Sequence, residues 1–582
     1  MKNGHRKLKV PLRPEVLHIT SHKAFLKAMA QVKQQKIVAL VFNITGDDPW
    51  LDSITKINMA VSSGIYVVDM SEIKSIKPLL MILQDDKIIK TMHNAKTILK
   101  FICKHMDFNI HAIECLTKLF DTSIAAHLLQ KENENENLSR FLEHYFSLEL
   151  ENNEPLQAFL LLELRKHLRR CIISESMVKV AALEFELVPV MADLELAGMP
   201  IDLNKWNSLW KKLRSRREKV ARKCSSELGL FSQNTLFGKP YASLDSQQQI
   251  KAALNDLGIT LPNLNEAVLK NSVHKHPVLA DLLTYRNLTK LINSCGDLIS
   301  EFVHPVTGRI HATYVQIGAR TGRMSCRSPN VQQIPRTTTQ IRACFCPGED
   351  RKMIIADYSQ VELRVAAELS KDPRMISAYK DNQDLHLLTA SLLSEVEVEK
   401  VTSEQRQAAK AVNFGLLYAM GPKGLASYAK TQYGVDLTIE QAESFRNRFF
   451  QSYKGLKKWQ DIIKRRVDNY SADVKVKSRL GRVFYSHPSD RLSWYLNAPV
   501  QGSAADLMKL ALLRVSKALN KNCKAKIVGV IHDEVLIEVL KSEVNIVKDI
   551  VVNEMQKAGN DMFSFVPFRV DVLVSDCWGS EE

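Results

Sequence analysis

Two β-rich runs, 527–531 and 535–539, are separated by only His532-Asp533-Glu534 in the stretch IVGVIHDEVLIEV. Runs so close together pair as a hairpin, and the pairing carries the acids to its tip. Upstream, the apolar run Met353–Ala356 in RKMIIADYSQVELR (351–364) ends in Asp357. A strand that delivers a carboxylate at its end holds it rigidly. Carboxylates on neighbouring strands could grip two Mg²⁺ ions, hard cations that prefer oxygen ligands. Metals ~3.5–4 Å apart would stabilise the attacking and leaving oxygens of an in-line phosphoryl displacement. Taken singly, an acidic tip of this kind is more often a solvated surface turn.

A second constellation lies between the strands, in TSEQRQAAKAVNFGLLYAMGP (402–422). Thr402 with Gln405 predicts a capping box at a helix start, and Gly421-Pro422 predicts its stop. Arg406, Lys410, Phe414 and Tyr418 recur every fourth residue, and at 3.6 residues per turn they form one slanted stripe. Two cations followed by two aromatics match a nucleoside triphosphate, phosphates at one end and sugar and base at the other. From this segment alone, an amphipathic helix with its aromatics in the core is the stronger reading.

The 582 residues carry 80 Lys+Arg against 64 Asp+Glu, a net charge of +16 that fits a polyanionic partner and simple solubility about equally. Hydrophobic content of 45% excludes a disordered chain. The ten cysteines are scattered, only Cys344 and Cys346 lie close together, and they read as reduced thiols rather than zinc ligands. No apolar run reaches the ~18 residues of a membrane span. The start, MKNGHRKLKVPLRPEV, is basic and lacks the apolar centre of a secretory signal, and Pro11 and Pro14 interrupt any amphipathic transit helix. It reads as a basic leader over 1–20.

Residues 20–175 mix predicted strands (37–44, 64–70) with helices (94–105, 116–129), and KENENENL (131–138) reads as an exposed loop. The segment 176–300 is mostly helical. Within it, 205–224 sets Trp206, Trp210, Leu213, Val220 and Ala221 near one face, with Lys211, Lys212, Arg214, Arg216, Arg217, Arg222 and Lys223 around the rest. A similar basic helix recurs at 455–470. Each is explained by solvation alone, and the two together suit a surface that tracks a phosphate backbone.

In combination these segments resemble DNA polymerase family A, the class of the large fragment of bacterial DNA polymerase I. DYSQVELR (357–364) and VIHDEV (530–535) are similar to the two palm motifs of the family, and RQAAKAVNFGLLY (406–418) to its fingers helix. ELVPVMADLELAGMPID (186–202), TGRMSCRSPNVQQIP (321–335), DLHLLTA (384–390), NAPVQGSAADL (497–507) and Trp578 agree in order. The resemblance spans about 181–582.

The resemblance implies template-directed DNA synthesis, in which a primer 3′-OH attacks the α-phosphate of a dNTP and pyrophosphate leaves. It implies two Mg²⁺ ions, with Mn²⁺ as an alternative, on Asp357 and Asp533, with Glu534 as an accessory acid. Arg406, Lys410 and His386 would hold the triphosphate, and Lys410 would protonate the leaving pyrophosphate. Phe414 would pack on the nucleotide, Tyr418 would sit near the insertion position, and Glu362, beside Gln360, would be a steric gate against a ribose 2′-OH. Arg323, Asn330, Gln332, Asn497, Gln501 and His532 would contact primer–template DNA, largely through a minor groove whose acceptors are common to all base pairs. The chain departs from the family at Ser493, where a basic residue is usual, with Arg491 nearby, and at Ala419, where glycine is usual. Phe414 in place of tyrosine implies discrimination against dideoxynucleotides.

The fold class expected is therefore α/β and α+β multidomain: a ribonuclease-H-like, 3′–5′ exonuclease-type domain over 21–180, then a right-hand polymerase over 181–582. The thumb is expected at about 203–300, the fingers at about 376–496, and the palm in the remainder. The exonuclease-type domain is expected to be inactive. Asn43 and Thr45 stand where the first motif needs two acids, Ile98 follows Asn94 where the second needs one, and Glu163 has no partner to form the third. Asp121 fits a helix start, and Asp47 and Asp48 lie beyond the strand end. A 5′ nuclease domain is not expected before it. A repair or replication role, a monomer, and a bacterial or phage-like cytoplasmic setting are expected, with organelle import as the alternative. Two competing readings are a non-catalytic primer–template binding protein, which would dispense with Asp357, Asp533, Arg406 or Lys410, and a nuclease acting through the first domain, which the missing acids oppose.

Overall fold

A computed structural model describes residues 8, 15–73, 75–107, 111–130, 137–148, 150, 153–230, 244–293, 297–335, 338–469 and 474–579. Residues 1–7 and 9–14 of the expected basic leader lie outside the described residues, whereas Val16–Ile19 forms a strand of the first sheet rather than leader. Residues 131–136 of the expected loop 131–138 also lie outside them, and Asn137 and Leu138 open a helix instead. The chain divides into two compact units, one made of 1–198, 312–327 and 349–574, the other of 199–311, 328–348 and 575–582.

The first unit begins with a six-stranded sheet of β1 (Val16–Ile19), β2 (Ile37–Ile44), β3 (Ile54–Val61), β4 (Gly64–Asp69), β5 (Ile89–Met92) and β6 (Leu119–Asp121), in the order β1-β4-β3-β2-β5-β6. The central strand β2 runs antiparallel to β3 and parallel to β5. It is buried on both faces. Val38 and Leu40 join a core with Phe25, Met59 and Leu99, while Ala39 and Val41 join a second core with Phe120, Leu160 and Leu164. This two-sided burial is why 37–44 reads as a continuous apolar run rather than an alternating one. Helix α1 (Ala95–His105) matches its expectation. The expected helix 116–129 instead opens as β6, and only α2 (Thr122–Leu128) is helical. Asp121 is the N-cap, accepting from the amides of Ser123 and Ile124. Two long helices follow, α3 (Glu154–Ser174) and α4 (Val178–Ala197).

The second sheet of this unit positions the acids. Strands β7 (Arg351–Tyr358), β8 (Lys526–Ile531), β9 (Glu534–Leu540) and β10 (Val570–Ser575) run in the order β8-β9-β7-β10. The same unit contains α7 (Val361–Ser370), α8 (Leu385–Ser394), α9 (Ser403–Leu417), α10 (Pro422–Tyr433), α11 (Lys454–Asn469) and α12 (Leu492–Asn522), numbered after α5 (Leu203–Glu227) and α6 (Pro277–Leu291) of the second unit. A buried ionic cluster ties α4 to α12. Glu184 receives Lys509 at 2.5 Å and the Arg482 guanidinium, which also reaches Asp506 at 2.7 Å, and all four residues are at most 3% exposed. Burial pushes Glu184 up, but attraction to Lys509 and Arg482 together with hydrogen bonds from Gln316 and Lys509 prevails and holds it below the usual carboxylate range.

In the second unit, α5 carries the tryptophans of the 205–224 pattern. Trp206 and Trp210 are buried against each other, ring centroids 5.2 Å apart, and Trp206 meets Phe345 edge-on. Phe345 in turn contacts Trp578. Lys211, Lys212, Arg214, Arg216, Arg222 and Lys223 are exposed along the helix. The expectation that every cysteine is a free thiol fails here. Cys346 and Cys577 form a disulfide although 231 residues separate them, because the chain end returns to lie beside Phe345. A pairing at that separation has no local spacing signal in the sequence.

Candidate active site

The β7–β9 register sets the acids together. Asp357 pairs directly with Glu534, which also pairs with Ile531 of β8, and directly opposed residues share a face of the sheet. Asp533 lies one residue earlier, in the two-residue turn His532-Asp533. His532 is exposed, with φ 60°, a left-handed value that histidine visits more readily than β-branched residues do. Glu534 is buried at 5% exposure, whereas Asp357 and Asp533 are half-exposed. Among the described residues no group of three or more His, Cys, Asp or Glu side chains has metal-binding geometry. Two accessible carboxylates still fit Mg²⁺, which is typically held by one or two carboxylates together with substrate phosphates and water rather than by an all-protein cage.

Immediately after β7 the chain turns through Gln360, with φ 52°, into α7. Gln360 accepts from the Tyr379 hydroxyl at 3.1 Å and donates to Asp384 Oδ1 at 3.4 Å. Glu362, in the first turn of α7, is gripped on both oxygens. Arg323 reaches Oε1 and the Tyr418 hydroxyl donates to Oε2. Burial, reinforced by Glu362, pushes the Tyr418 phenol well above its usual range, so it is the donor. Gln501 of α12 also hydrogen bonds Tyr418.

The stripe helix α9 has the expected capping box, with Thr402 and Gln405 satisfying each other's amides. Its end is not where Gly421-Pro422 predicted. The helix stops at Leu417, Tyr418 is the C-cap, Ala419 turns left-handed at φ 57°, and Pro422 opens α10 instead. Proline is as good a first helical residue as it is a terminator, and the Gly-Pro pair here does the former. Arg406 and Lys410 are half-exposed at the start and middle of α9. Arg406 pairs with Asp384, Nη2 to Oδ2 2.6 Å. Asp384 also caps α8 by accepting from the His386 amide at 2.8 Å. Burial pushes Asp384 up, but these partners prevail and hold it below the usual carboxylate range.

His386 is 4% exposed. Burial pushes it down to about 4, against the attraction of Asp384 and with the help of Arg406 and Lys410. It is therefore neutral at pH 7, not a cation. Its Nδ1 receives the Asn413 amide at 2.9 Å, which leaves the proton on Nε2. Asn413 Oδ1 lies 3.0 Å from the Thr389 hydroxyl, itself 2.9 Å from the Tyr453 hydroxyl. The Phe414 ring lies 5.8 Å from His386, tilted by 43°. Asp384 and Asn413 are the residues sequence reasoning missed. Asp384 had a signal, an acid two residues before His386 at a helix start, whereas buried Asn413 on the inner face of α9 had none.

Asn497 and Gln501 lie one turn apart on α12, both half-buried. Asn330 and Gln332 belong to the second unit, where Asn330 caps a short 3₁₀ turn by accepting from the Gln332 amide at 3.1 Å.

In the first domain the positions expected to have lost their acids are filled by uncharged side chains, of which Asn43 and Thr45 hydrogen bond to neighbouring groups. Asn43 donates to Glu154 Oε1 at 2.9 Å and accepts from Asn58 at 3.0 Å. Thr45 donates to Asp52 at 3.1 Å. Ile98 is buried in the core, and Asp48 accepts from the Trp50 amide within its own turn. Asp121 is buried and receives backbone amides from Ala95, Ser123 and Ile124.

Comparison with known proteins agrees with this geometry. The model of DNA polymerase family A matches residues 209–580, and a 3′-5′ exonuclease model matches 17–176. DNA polymerase I of Aquifex aeolicus (strain VF5) is 30% identical over 596 residues, 96% of this chain and 99% of the relative. The thermostable DNA polymerase I of Thermus aquaticus is 31% identical over 68% of this chain and 47% of its own length, so the chain spans about half of that relative. The solved POL domain of Pol1 from M. smegmatis, in complex with DNA primer-template and dNTP, superposes with a TM-score of 0.82 at 25% identity, over 97% of this chain and 99% of that one. The chain belongs to DNA polymerase family A and is a DNA-directed DNA polymerase.

Proposed function

We propose that the chain extends a DNA primer by two-metal phosphoryl transfer at Asp357 and Asp533 and does not proofread. The observation that carries this reading is the β7–β9 register, which opposes Asp357 to Glu534 and sets Asp533 in the adjoining turn. Divalent cations held by Asp357 and Asp533 would activate the primer 3′-OH and neutralise charge developing on the phosphates. The roles of the chain's own groups follow from their chemistry. Lys410 would give a proton to the leaving pyrophosphate, and Arg406 would exchange Asp384 for a phosphate, since both are bidentate acceptors for its fork. Neutral His386 would donate from Nε2–H to a phosphate oxygen. Phe414 would stack on the nucleotide, and Glu362, fixed between Arg323 and Tyr418, would fill the space of a 2′-OH. Asn330, Gln332, Asn497, Gln501 and His532 would contact the primer–template.

Loss of proofreading is supported by the first domain. Asn43 and Thr45 offer no anionic oxygens, and Glu154 is already engaged by Asn43. A polymerase of this kind suits gap-filling repair synthesis or replication, working as a monomer, and its bacterial relatives support a cytoplasmic site of action. Primer extension with Mg²⁺ on a labelled primer–template tests both halves. Wild type should extend the primer with dNTPs and leave it uncut without them, and Asp533→Ala should abolish extension. Shortening of the 3′ end without dNTPs would overturn the non-proofreading reading. Extension by Asp533→Ala would overturn the metal assignment.

A further inference from the structure

A cavity of about 620 Å³ opens in the first unit beside α3 and α4, and none of its lining residues belongs to the candidate active site. Its wall is mainly aliphatic and aromatic, including Ile89, Leu119, Phe120, Ile172, Ala181 and Phe185. Ile173 and Val178 remain 47% and 53% exposed at its edge. This size and lining are those of a site for a small molecule.

One charged residue in the wall is out of keeping with the rest. Arg165 of α3 is only 8% exposed, and among the described residues no carboxylate pairs with it. Its buried Nε has no hydrogen-bond partner, and its guanidinium lies 5.4 Å from the centre of the Phe120 ring. Burial and the neighbouring Arg169 both push its pKa below the usual arginine range. A buried guanidinium without an anion is expensive, and one aromatic face offsets only part of that cost. The other cations around the cavity, Arg169 and Lys118, are exposed, while Lys517 is neutralised by Glu186 at 2.7 Å. The cavity therefore combines a large apolar volume with a single inward positive charge.

We propose that this cavity binds an anionic amphiphile, a carboxylate carried on an aliphatic body, with Arg165 receiving the carboxylate and the wall from Ile89 to Phe185 receiving the chain. Neither an inorganic anion nor an uncharged alkane would use both features.

The test is calorimetric titration of the full chain with decanoate, with 1-decanol, decyltrimethylammonium and acetate as controls. Decanoate should bind at least about tenfold more tightly than decanol, the worth of one charge-assisted contact, and acetate and the ammonium should not bind. Arg165→Met should lose that tenfold preference and keep the decanol affinity. It should also melt no lower than wild type, because it removes an uncompensated charge. Ala182→Trp, at an exposed position of the wall, should block decanoate while leaving primer extension unchanged. Equal affinity for decanol and decanoate, competition by acetate, or undiminished decanoate binding in Arg165→Met or in Ala182→Trp would each overturn the proposal. Should Arg165→Met fail to fold, Arg165 is structural and the proposal also falls.

Discussion

The Tyr418 hydroxyl at the C-cap of α9 donates to Glu362 Oε2 in the first turn of α7, while Arg323 holds the other carboxylate oxygen. Glu362 is thus fixed from two sides. A carboxylate fixed in this way can exclude a 2′-hydroxyl, whereas a freely rotating one would move aside. Glu362→Ala should lower the preference for dNTP over rNTP by on the order of 10- to 100-fold in kcat/KM. Tyr418→Phe should lower it less, since Arg323 still holds Oε1. Single-nucleotide insertion with matched dNTP and rNTP gives the ratio directly, and an unchanged ratio in Glu362→Ala would remove Glu362 from sugar selection.

His386 should act without titrating near neutrality. Its folded value of about 4 lies below the ordinary 6.5, so between these values the unfolded chain takes up a proton that the folded chain refuses. The resulting stability is present above pH 6.5 and is lost as pH falls toward 4. His386→Gln, which keeps a neutral donor, should therefore gain on wild type in unfolding free energy as pH drops through that window, with the difference constant above it. Denaturant melts at a series of pH values measure it. Asn413→Leu should raise the KM for dNTP about 5- to 30-fold, the equivalent of one lost buried hydrogen bond, with kcat less affected.

Among the described residues, Glu184 is the only acid in ion-pair contact with Lys509, and it also takes the Arg482 guanidinium. Replacing it leaves two buried cations with Asp506 as their remaining acidic partner. Glu184→Gln should destabilise by about 3–5 kcal/mol. Lys509→Met in the same background should recover part of that, because it removes the stranded charge rather than a favourable contact. Urea unfolding of the two variants and their combination decides. A loss below about 1 kcal/mol in Glu184→Gln would mean that water or movement relieves the cluster.

Strand positions were legible where a physical pattern is local. The continuous apolar run 37–44 reappears with its expected ends, and Thr402 with Gln405 forms the box that their spacing implies. The expected hairpin also forms, but Glu534 joins its second strand and leaves only His532-Asp533 in the turn. The Asp357–Glu534 opposition was only half legible, since the strands could be read but not their register. Partners that come from distant segments were not legible. Asp384 on Arg406, Asn413 on His386 and Cys346 with Cys577 depend on folding that no spacing records. The helix end at Leu417 was misread for a different reason, because Gly-Pro terminates one helix or begins another with equal local logic.

That helix end carries a strain the sequence had marked only as a departure. Ala419 adopts φ 57°, a conformation that costs a residue with a Cβ about 1–2 kcal/mol and glycine little. Ala419→Gly relieves this, but it also removes a methyl that packs against the apolar cluster built on Ile463, Phe484 and Tyr495. A fully buried methyl is worth about 0.8 kcal/mol, and Ala419 is only half-buried, so about half of that is lost. The greater freedom of glycine in the unfolded chain takes a further ~0.5 kcal/mol. The balance favours glycine by up to about 1 kcal/mol, and Ala419→Val should be worse than wild type by more, since a β-branched residue tolerates this region least. Melting curves order the three proteins Gly, Ala, Val from most to least stable. Because Tyr418 is the C-cap next to this turn, the same series should leave its bond to Glu362, and hence the dNTP to rNTP ratio, unchanged in Ala419→Gly. A shifted ratio would show that the left-handed turn aims Tyr418 as well as ending the helix.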